Sequence, residues 1–315
     1  LGGVITYPSG RNMSLESAVR MNIITGVNQT CGKLQELRAD ELGWDLMELT
    51  AHSGARPSHA SWQGKIVSRS GQIGYLSLRD IGYGTATGFK GVNCRHDWYP
   101  YYKGSSRTYT EKQLKEWQNE TVTYNGKKIN KYEATQIQRK MERQIRQDKK
   151  NLAGLQGIIK SNTTDNKLIE ETKTKFARQS LIYKSHQNEL DNFVSQTSLN
   201  KDNTRLYIGK QDKSVSTQVS NVTKIANRYN KEIIGIRVNG VEIKEVGEHI
   251  ISRTYARNIK FEDVQDTLKN PVKYGKIRSD KSKQIKGENC TVVINTETGK
   301  LITVYPQKTR RENKK

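Results

Sequence analysis

Four side chains in the first third of the chain have the chemistry of metal ligands. His52 and His59 lie in Ala51–Gly64 (AHSGARPSHASWQG), and Cys94 and His96 in Gly91–His96 (GVNCRH). A tetrahedral zinc site needs four soft or borderline donors of this kind. Their spacing matches no standard zinc module, and histidines that hydrogen-bond neighbouring loops beside a buried cysteine are the commoner use of such residues. The expectation is therefore a fold without metal or cofactor. Arg56 and Arg95 are expected to pair with Asp80 or Asp97 and so pin glycine-rich loops that lack a core, and Trp62 is expected to pack. No carboxylate stands at a telling spacing, so the set does not read as an active centre. GYGTATG (Gly82–Gly88) lacks the Lys-Ser/Thr ending and the strand-to-helix context of a phosphate loop.

A second group lies near the C-terminus. His249, Arg253 and Arg257 stand at i, i+4 and i+8, which on a helix stacks them on one face about a turn apart. Such a basic column is unfavourable in an isolated helix and invites an anion. Thr303 and Tyr305 are two apart on a strand and share a face, opposite Ile302 and Val304. One imidazole, two guanidiniums and two hydroxyls are thus offered to a common point. Metal-free RNA cleavage uses such a set: a base takes the 2'-hydroxyl proton, cations stabilise the crowded phosphorane, and an acid protonates the leaving oxygen. Histidine titrates near neutral pH, and arginine grips phosphate in two-pronged fashion. The plainer alternative is a solvated helix.

The elements that must position these groups follow from patterning. Ser14 caps a helix to about Glu41, with Leu15, Val19, Ile23, Leu34 and Leu37 as its buried face and Gly26 and Gly32 weakening it. Trp44–Leu49 and Gly64–Arg69 read as strands, Gly71–Gly91 as a glycine-rich loop, and Trp98–Gly104 as an aromatic segment packed over it. Thr110 with Gln113 resembles a capping box opening a short helix, and Tyr124-Asn125-Gly126 is a turn. Two long helices follow, from Lys131 (Ile137, Met141 and Ile145 beside a stripe of Arg139, Arg143 and Arg146) and from Asn166 (Leu168, Phe176, Tyr183, Leu190, Phe193), as an antiparallel hairpin. Ser195–Asn230 is polar and reads as a linker with a short strand at Leu206–Ile208. Beyond Glu232 the pattern gives a hairpin about Asn239-Gly240, helices at Val246–Asn258 and Phe261–Lys269, and a closing hairpin of Cys290–Asn295 with Lys300–Tyr305. The basic tail Gln307–Lys315 is expected to fray.

Bulk properties agree with small cores joined by polar helices. Of 315 residues only 33% are hydrophobic, and 54 Lys+Arg against 32 Asp+Glu give a net charge of +22, with a mean hydropathy of -0.84. The excess is spread along the chain and favours polyanionic partners. Cys31, Cys94 and Cys290 are too few and scattered for a disulfide framework. No apolar run approaches the roughly 20 residues of a membrane span, and neither a signal peptide nor an internal repeat is evident. The chain opens on Leu1 and not on Met, which reads as a fragment or processed product.

AHSGARPSHASWQG, GYGTATGFKGVNCRH and YEATQIQRKMERQIRQDKK resemble the phage minor capsid proteins related to the Mu F-like head morphogenesis family, over about Gly10 to Val194. The resemblance implies a virion component near the portal, made in the host cytoplasm and packaged with the head; the family usually has a longer helical region upstream, which this chain is expected to lack. It makes His52, Arg56, His59, Trp62, Cys94, Arg95 and His96 fold-defining. About Ile233 to Pro306 is more loosely similar to the barnase–EndoU–colicin–RelE nucleases. That likeness implies metal-independent endoribonuclease action with His249 as general acid or base. It makes Arg253 and Arg257 a phosphate clamp, gives Thr303 and Tyr305 the orienting role, and sets Lys276, Arg278 and Lys283 on the RNA backbone. It also implies an RNA substrate such as tRNA, and an immunity protein. With no second histidine, acid and base stay unassigned. The expected architecture is α+β: a minor-capsid domain over 1–195, a linker over 196–231, and a small domain of helices packed on an antiparallel sheet over 232–315. The competing reading is purely structural, with the basic C-terminal domain holding packaged DNA or a head partner.

Overall fold

A computed structural model describes residues 3–209 and 213–307, so the tail expected to fray lies, beyond Gln307, outside the described residues. The chain divides into two compact units. One comprises residues 1–142 with 190–207; the other comprises 143–189 with 208–315. The long helices thus contribute to both units, whereas the sequence suggests three pieces in linear order.

The first unit opens with a ribbon of β1 (Val4–Thr6) and β2 (Asn12–Ser14), then α1 (Leu15–Glu41). α1 has the expected span but not the expected face. Leu15, Val19, Ile23, Leu34 and Leu37 are exposed, and Ala18, Gly32 and Ala39 are buried. The reason is close approach: a Cβ at Gly32 would sit 3.0 Å from Lys90 Cε, so small residues make the contact and large ones are left in solvent. A four-stranded sheet follows, in the order β5 (Leu76–Ser77), β4 (Ile66–Ser68), β3 (Leu46–Leu49), β6 (Trp98–Pro100), with the short helix α2 (Pro57–Ala60) between β3 and β4. Met47, Leu49, Val67, Ile81, Phe89, Trp62 and Trp98 form its core. The stretch from Gly71 to Gly91 is loop apart from β5. Glycine is required there: a Cβ at Gly88 would lie 2.1 Å from the Gly82 carbonyl oxygen, and one at Gly91 2.4 Å from that of Thr85. α3 (Glu111–Gln118) is capped by the Thr110 hydroxyl, which accepts from Gln113 N at 3.2 Å. β7 (Thr121–Tyr124) and β8 (Lys127–Asn130) form a hairpin whose Asn125-Gly126 turn has positive φ at both positions.

α4 (Lys131–Ile159) and α5 (Asn166–Thr197) are the expected long helices. Ile145, Phe176, Leu190 and Phe193 are buried, but Leu168 is exposed. Within the second unit the two are tied by polar as well as apolar groups. Asp148, buried, accepts from Gln179 Nε2 at 3.0 Å and faces His186 Nδ1 at 2.7 Å.

The segment read as a linker is structured. Asn203–Leu206 is a 3-10 turn in place of the expected strand, and Lys213–Arg228 is α6, followed by a π turn at Tyr229–Ile233. Val215, Val219, Val222 and Ala226 recur at helical spacing and are buried. The Ser/Thr/Val-rich composition lowers intrinsic helix propensity and hides that stripe; burial against the core overrides it.

The second unit continues with β9 (Arg237–Val238) and β10 (Val241–Glu242) about the Asn239-Gly240 turn, then β11 (Glu245–Val246), α7 (Glu248–Ala256) and α8 (Phe261–Lys269). A five-stranded sheet closes it, in the order β11, β15 (Lys300–Pro306), β14 (Cys290–Asn295), β13 (Ser282–Lys286), β12 (Lys273–Tyr274). β11 runs parallel to β15 and the other pairs are antiparallel. The expected closing hairpin is there, and a strand that the pattern did not mark, β13, precedes it and pairs along its whole length with β14. α7 and α8 pack on one face, where Ile250, Ile251, Phe261 and Val264 meet Ile285, Val292, Ile294, Leu301 and Val304. The architecture is α+β, as expected. Among the described residues no helix is long and apolar enough to cross a membrane.

Candidate functional site

In the first unit the strand β3 leads into the segment bearing His52, and α2 carries His59 inward. The Gly91–His96 turn returns Cys94 and His96 to the same place. The ligand atoms of His59, Cys94 and His96 lie within 4.8 Å of one another, and all three residues are buried. His59 Nδ1 stands 3.2 Å from His96 Nδ1, and Cys94 Sγ stands 3.6 Å from His96 Nδ1. The outer nitrogens are tied down. His59 Nε2 is 2.9 Å from the Thr87 carbonyl, and His96 Nε2 is 3.1 Å from Gln63 Oε1, which also accepts from the His52 backbone N–H at 3.2 Å. Thr87 precedes Gly88, whose close approach to Gly82 leaves no room for a Cβ.

Around this pair the His52 ring stacks on His96 with centroids 4.6 Å apart, and Trp62 closes another side at 4.5 Å from His59 and 4.8 Å from His96. Burial, with the neighbouring His52, His59 and Arg56, pushes the His96 pKa down to about 3. Burial likewise lowers that of His59. Both rings are held neutral at pH 7.

The arginines do not pair as expected. Arg56 donates to the Val92 carbonyl at 2.9 Å, so it pins the loop through backbone and not through a carboxylate. Arg95 is exposed. Asp97 takes Lys90 Nζ at 2.7 Å, and Asp80 accepts from Ser77 N and Oγ, both at 2.8 Å. Gln63 and Thr87 went unmarked in the sequence: one follows a tryptophan without a motif of its own, and the other acts through its backbone.

In the second unit His249, Arg253 and Arg257 do share a face of α7, with Arg257 at its C-cap. The anion they invite is supplied by the chain itself. Glu170 of α5 accepts from Arg253 NH1 at 2.8 Å and Arg257 Nε at 2.9 Å, and Arg257 NH1 also donates to the Val304 carbonyl at 2.6 Å. Arg178 donates to His249 Nδ1 at 2.9 Å. Burial, then Arg253, Arg178 and Arg257, lowers the His249 pKa. Thr303 and Tyr305 do not join the column. Val304 points into the core under α7 and α8, so its strand neighbours project from the opposite face of the sheet, where the Tyr305 hydroxyl accepts from Gln284. The five groups therefore fall on two sides of the sheet. Glu170 and Arg178 lie on a helix more than seventy positions from their partners, a distance no local pattern spans.

Lys276 and Arg278 lie in the exposed connection between β12 and β13, and Lys283 in β13. Lys273 and Lys286 are cross-strand partners on one face of the β12–β13 ribbon, and Lys283 is on the other face with Tyr274, its Nζ 5.2 Å from the centroid of that ring. Among the described residues none of the five is within ion-pair distance of a carboxylate.

The chain is an α+β protein whose glycine-rich loop is gathered around buried histidines and whose basic helix face is partly neutralised by Glu170. Residues 3–195 match the family model of phage minor capsid protein 2, and the chain belongs to that family. It is 30% identical over 159 residues to a structural protein of Lactococcus phage LL-H, covering 49% of this chain and 40% of the relative. It is 34% identical over 88 residues to a structural protein of Lactococcus phage mv4, covering 28% of this chain and 63% of the relative. The chain thus spans less than two thirds of the length of these relatives. No solved structure matches it.

Proposed function

We propose that this protein is a structural component of the phage head whose second unit holds nucleic acid by its phosphate backbone, without cleaving it. The family supports a place in the virion and capsid proteins as partners. The observation that carries the nucleic-acid part is the β12–β13 ribbon, where Lys273, Lys276, Arg278, Lys283 and Lys286 make no ion pair among the described residues, on a chain of net charge +22. Cations on such a ribbon reach phosphates whatever the base sequence, which suits packaged DNA. The endoribonuclease reading needs Arg253 and Arg257 to clamp a phosphate beside Thr303 and Tyr305, but Glu170 takes both guanidiniums and the sheet separates them from the hydroxyls.

Fluorescence anisotropy of the full chain with duplex DNA over a range of salt tests this. The expected result is sequence-independent binding with log K falling linearly in log salt, and a slope reduced by about 2–3 in the combined Lys276→Ala, Arg278→Ala and Lys283→Ala variant. Absence of binding at low salt, or an unchanged slope in that variant, would overturn the proposal.

A further inference from the structure

The contact between His59 and His96 has an unusual proton inventory. The Thr87 carbonyl only accepts, so His59 Nε2 must carry the proton. Gln63 Oε1 is identified as oxygen because the His52 backbone N–H also points at it, so His96 Nε2 must carry its proton too. In two neutral rings both Nδ1 atoms are then bare lone pairs, and they face each other at 3.2 Å with no hydrogen between them. The Cys94 sulfur completes the arrangement at 3.6 Å from His96 Nδ1. As a thiol Cys94 can donate its S–H to His96 Nδ1, which leaves the buried His59 Nδ1 without a donor; as a thiolate it makes the third of three converging electron-pair donors.

We propose that His59 Nδ1, His96 Nδ1 and Cys94 Sγ bind one divalent zinc-like cation, with Cys94 as thiolate. Two of the three distances fit. Zinc bond lengths of about 2.0–2.1 Å to nitrogen and about 2.3 Å to sulfur put two nitrogens of a tetrahedron about 3.3 Å apart, and nitrogen and sulfur about 3.6 Å apart; the third pair, His59 Nδ1 and Cys94 Sγ, lies within 4.8 Å and closes toward the thiolate distance on binding. The outer partners fit as well, since a ligating histidine characteristically donates its other N–H to a carbonyl or carboxylate oxygen, as both rings do here. Binding releases the thiol proton to solvent and changes no oxidation state. The His52 ring stacks on His96, with its Nδ1 3.0 Å from the Ser53 carbonyl, and would have to turn to add its Nε2 as a fourth ligand; otherwise water completes the tetrahedron. The ion would staple the α2 segment to the end of the Gly71–Gly91 loop and its following turn. There the chain has almost no regular structure to hold it.

The competing resolution is a metal-free knot in which the Cys94 thiol donates to His96 Nδ1, and metal content separates the two. Full-length protein without a polyhistidine tag, expressed with zinc and desalted, is expected to carry about one zinc per chain by elemental analysis. That content should fall below about a tenth in Cys94→Ser and His59→Gln. Cobalt added to chelator-stripped wild-type protein should produce a thiolate-to-cobalt charge-transfer band that Cys31→Ser and Cys290→Ser retain and Cys94→Ser loses. The wild-type readings keep the test decisive if a variant fails to fold. Folded wild-type protein that carries no stoichiometric metal and gives no cobalt band would overturn the proposal in favour of the metal-free knot. Either outcome leaves the DNA-binding ribbon of the other unit unaffected.

Discussion

Each unit gathers histidine and arginine into one place, and the two places solve opposite problems. In the first, imidazoles are taken out of water, and their outer N–H groups meet a backbone carbonyl and an amide oxygen. In the second, the guanidiniums are only partly covered and meet a carboxylate from the helical hairpin. The same residue types therefore serve a neutral, buried knot in one unit and a charged, half-exposed clamp in the other. Residue type at a spacing does not reveal use; what stands opposite the side chain does.

The comparison predicts unequal consequences of mutation. His96→Ala should be the most damaging change, destabilising by about 2–4 kcal/mol, because it removes a buried ring and takes from Gln63 Oε1 one of its two donors. A denaturant melt followed by tryptophan fluorescence checks it. A loss of well under 1 kcal/mol would mean that the knot does not hold the loops.

Acid should separate the units next. The folded-state pKa of His96 is depressed by burial below its ordinary 6.5 to about 3. Its contribution is therefore fully present above about 6.5 and is lost progressively as the pH falls toward 3. Glu170 is depressed below its ordinary 4.5, chiefly by its hydrogen bond from Arg257. Its contribution is present above that value and is lost only as the pH falls through the lower folded one. Thermal melts between pH 7 and 4 should show the first unit weakening earlier; simultaneous weakening would remove the contrast.

Glu170→Gln comes next. With its side chain 39% exposed, the pair is screened, and the loss of stability should be about 1 kcal/mol or less. The gain should appear in binding: two released arginines should steepen the salt dependence of DNA affinity by about one to two units. An unchanged slope would mean that Glu170 does not occupy an anion position. The smallest effect is expected for Tyr305→Phe, about 1 kcal/mol or less, since it loses one hydrogen bond to Gln284 on the sheet face away from α7.

Much of the fold was legible because it is local. The Thr110 cap, the Asn125-Gly126 and Asn239-Gly240 turns, the long helices and strands β14 and β15 each follow from a few adjacent residues. α6 was not, because serine, threonine and valine mask a stripe at Val215, Val219, Val222 and Ala226 that only packing reveals. The face of α1 was misread for the converse reason: large apolar residues advertise burial, yet Ala18, Gly32 and Ala39 make the contact. At the sites, the histidines, Cys94 and the basic column were visible as types, but Thr87, Gln63 and Glu170 were not. Each becomes a partner only through the tertiary fold, and Glu170 decides what the column does.

Incubating the full chain with tRNA in EDTA, and resolving the products and their termini on a denaturing gel, tests the central claim most directly. The structural account predicts intact RNA with wild-type protein, and no difference between it and His249→Ala. Metal-independent fragments ending in cyclic phosphate, lost in His249→Ala, would contradict it.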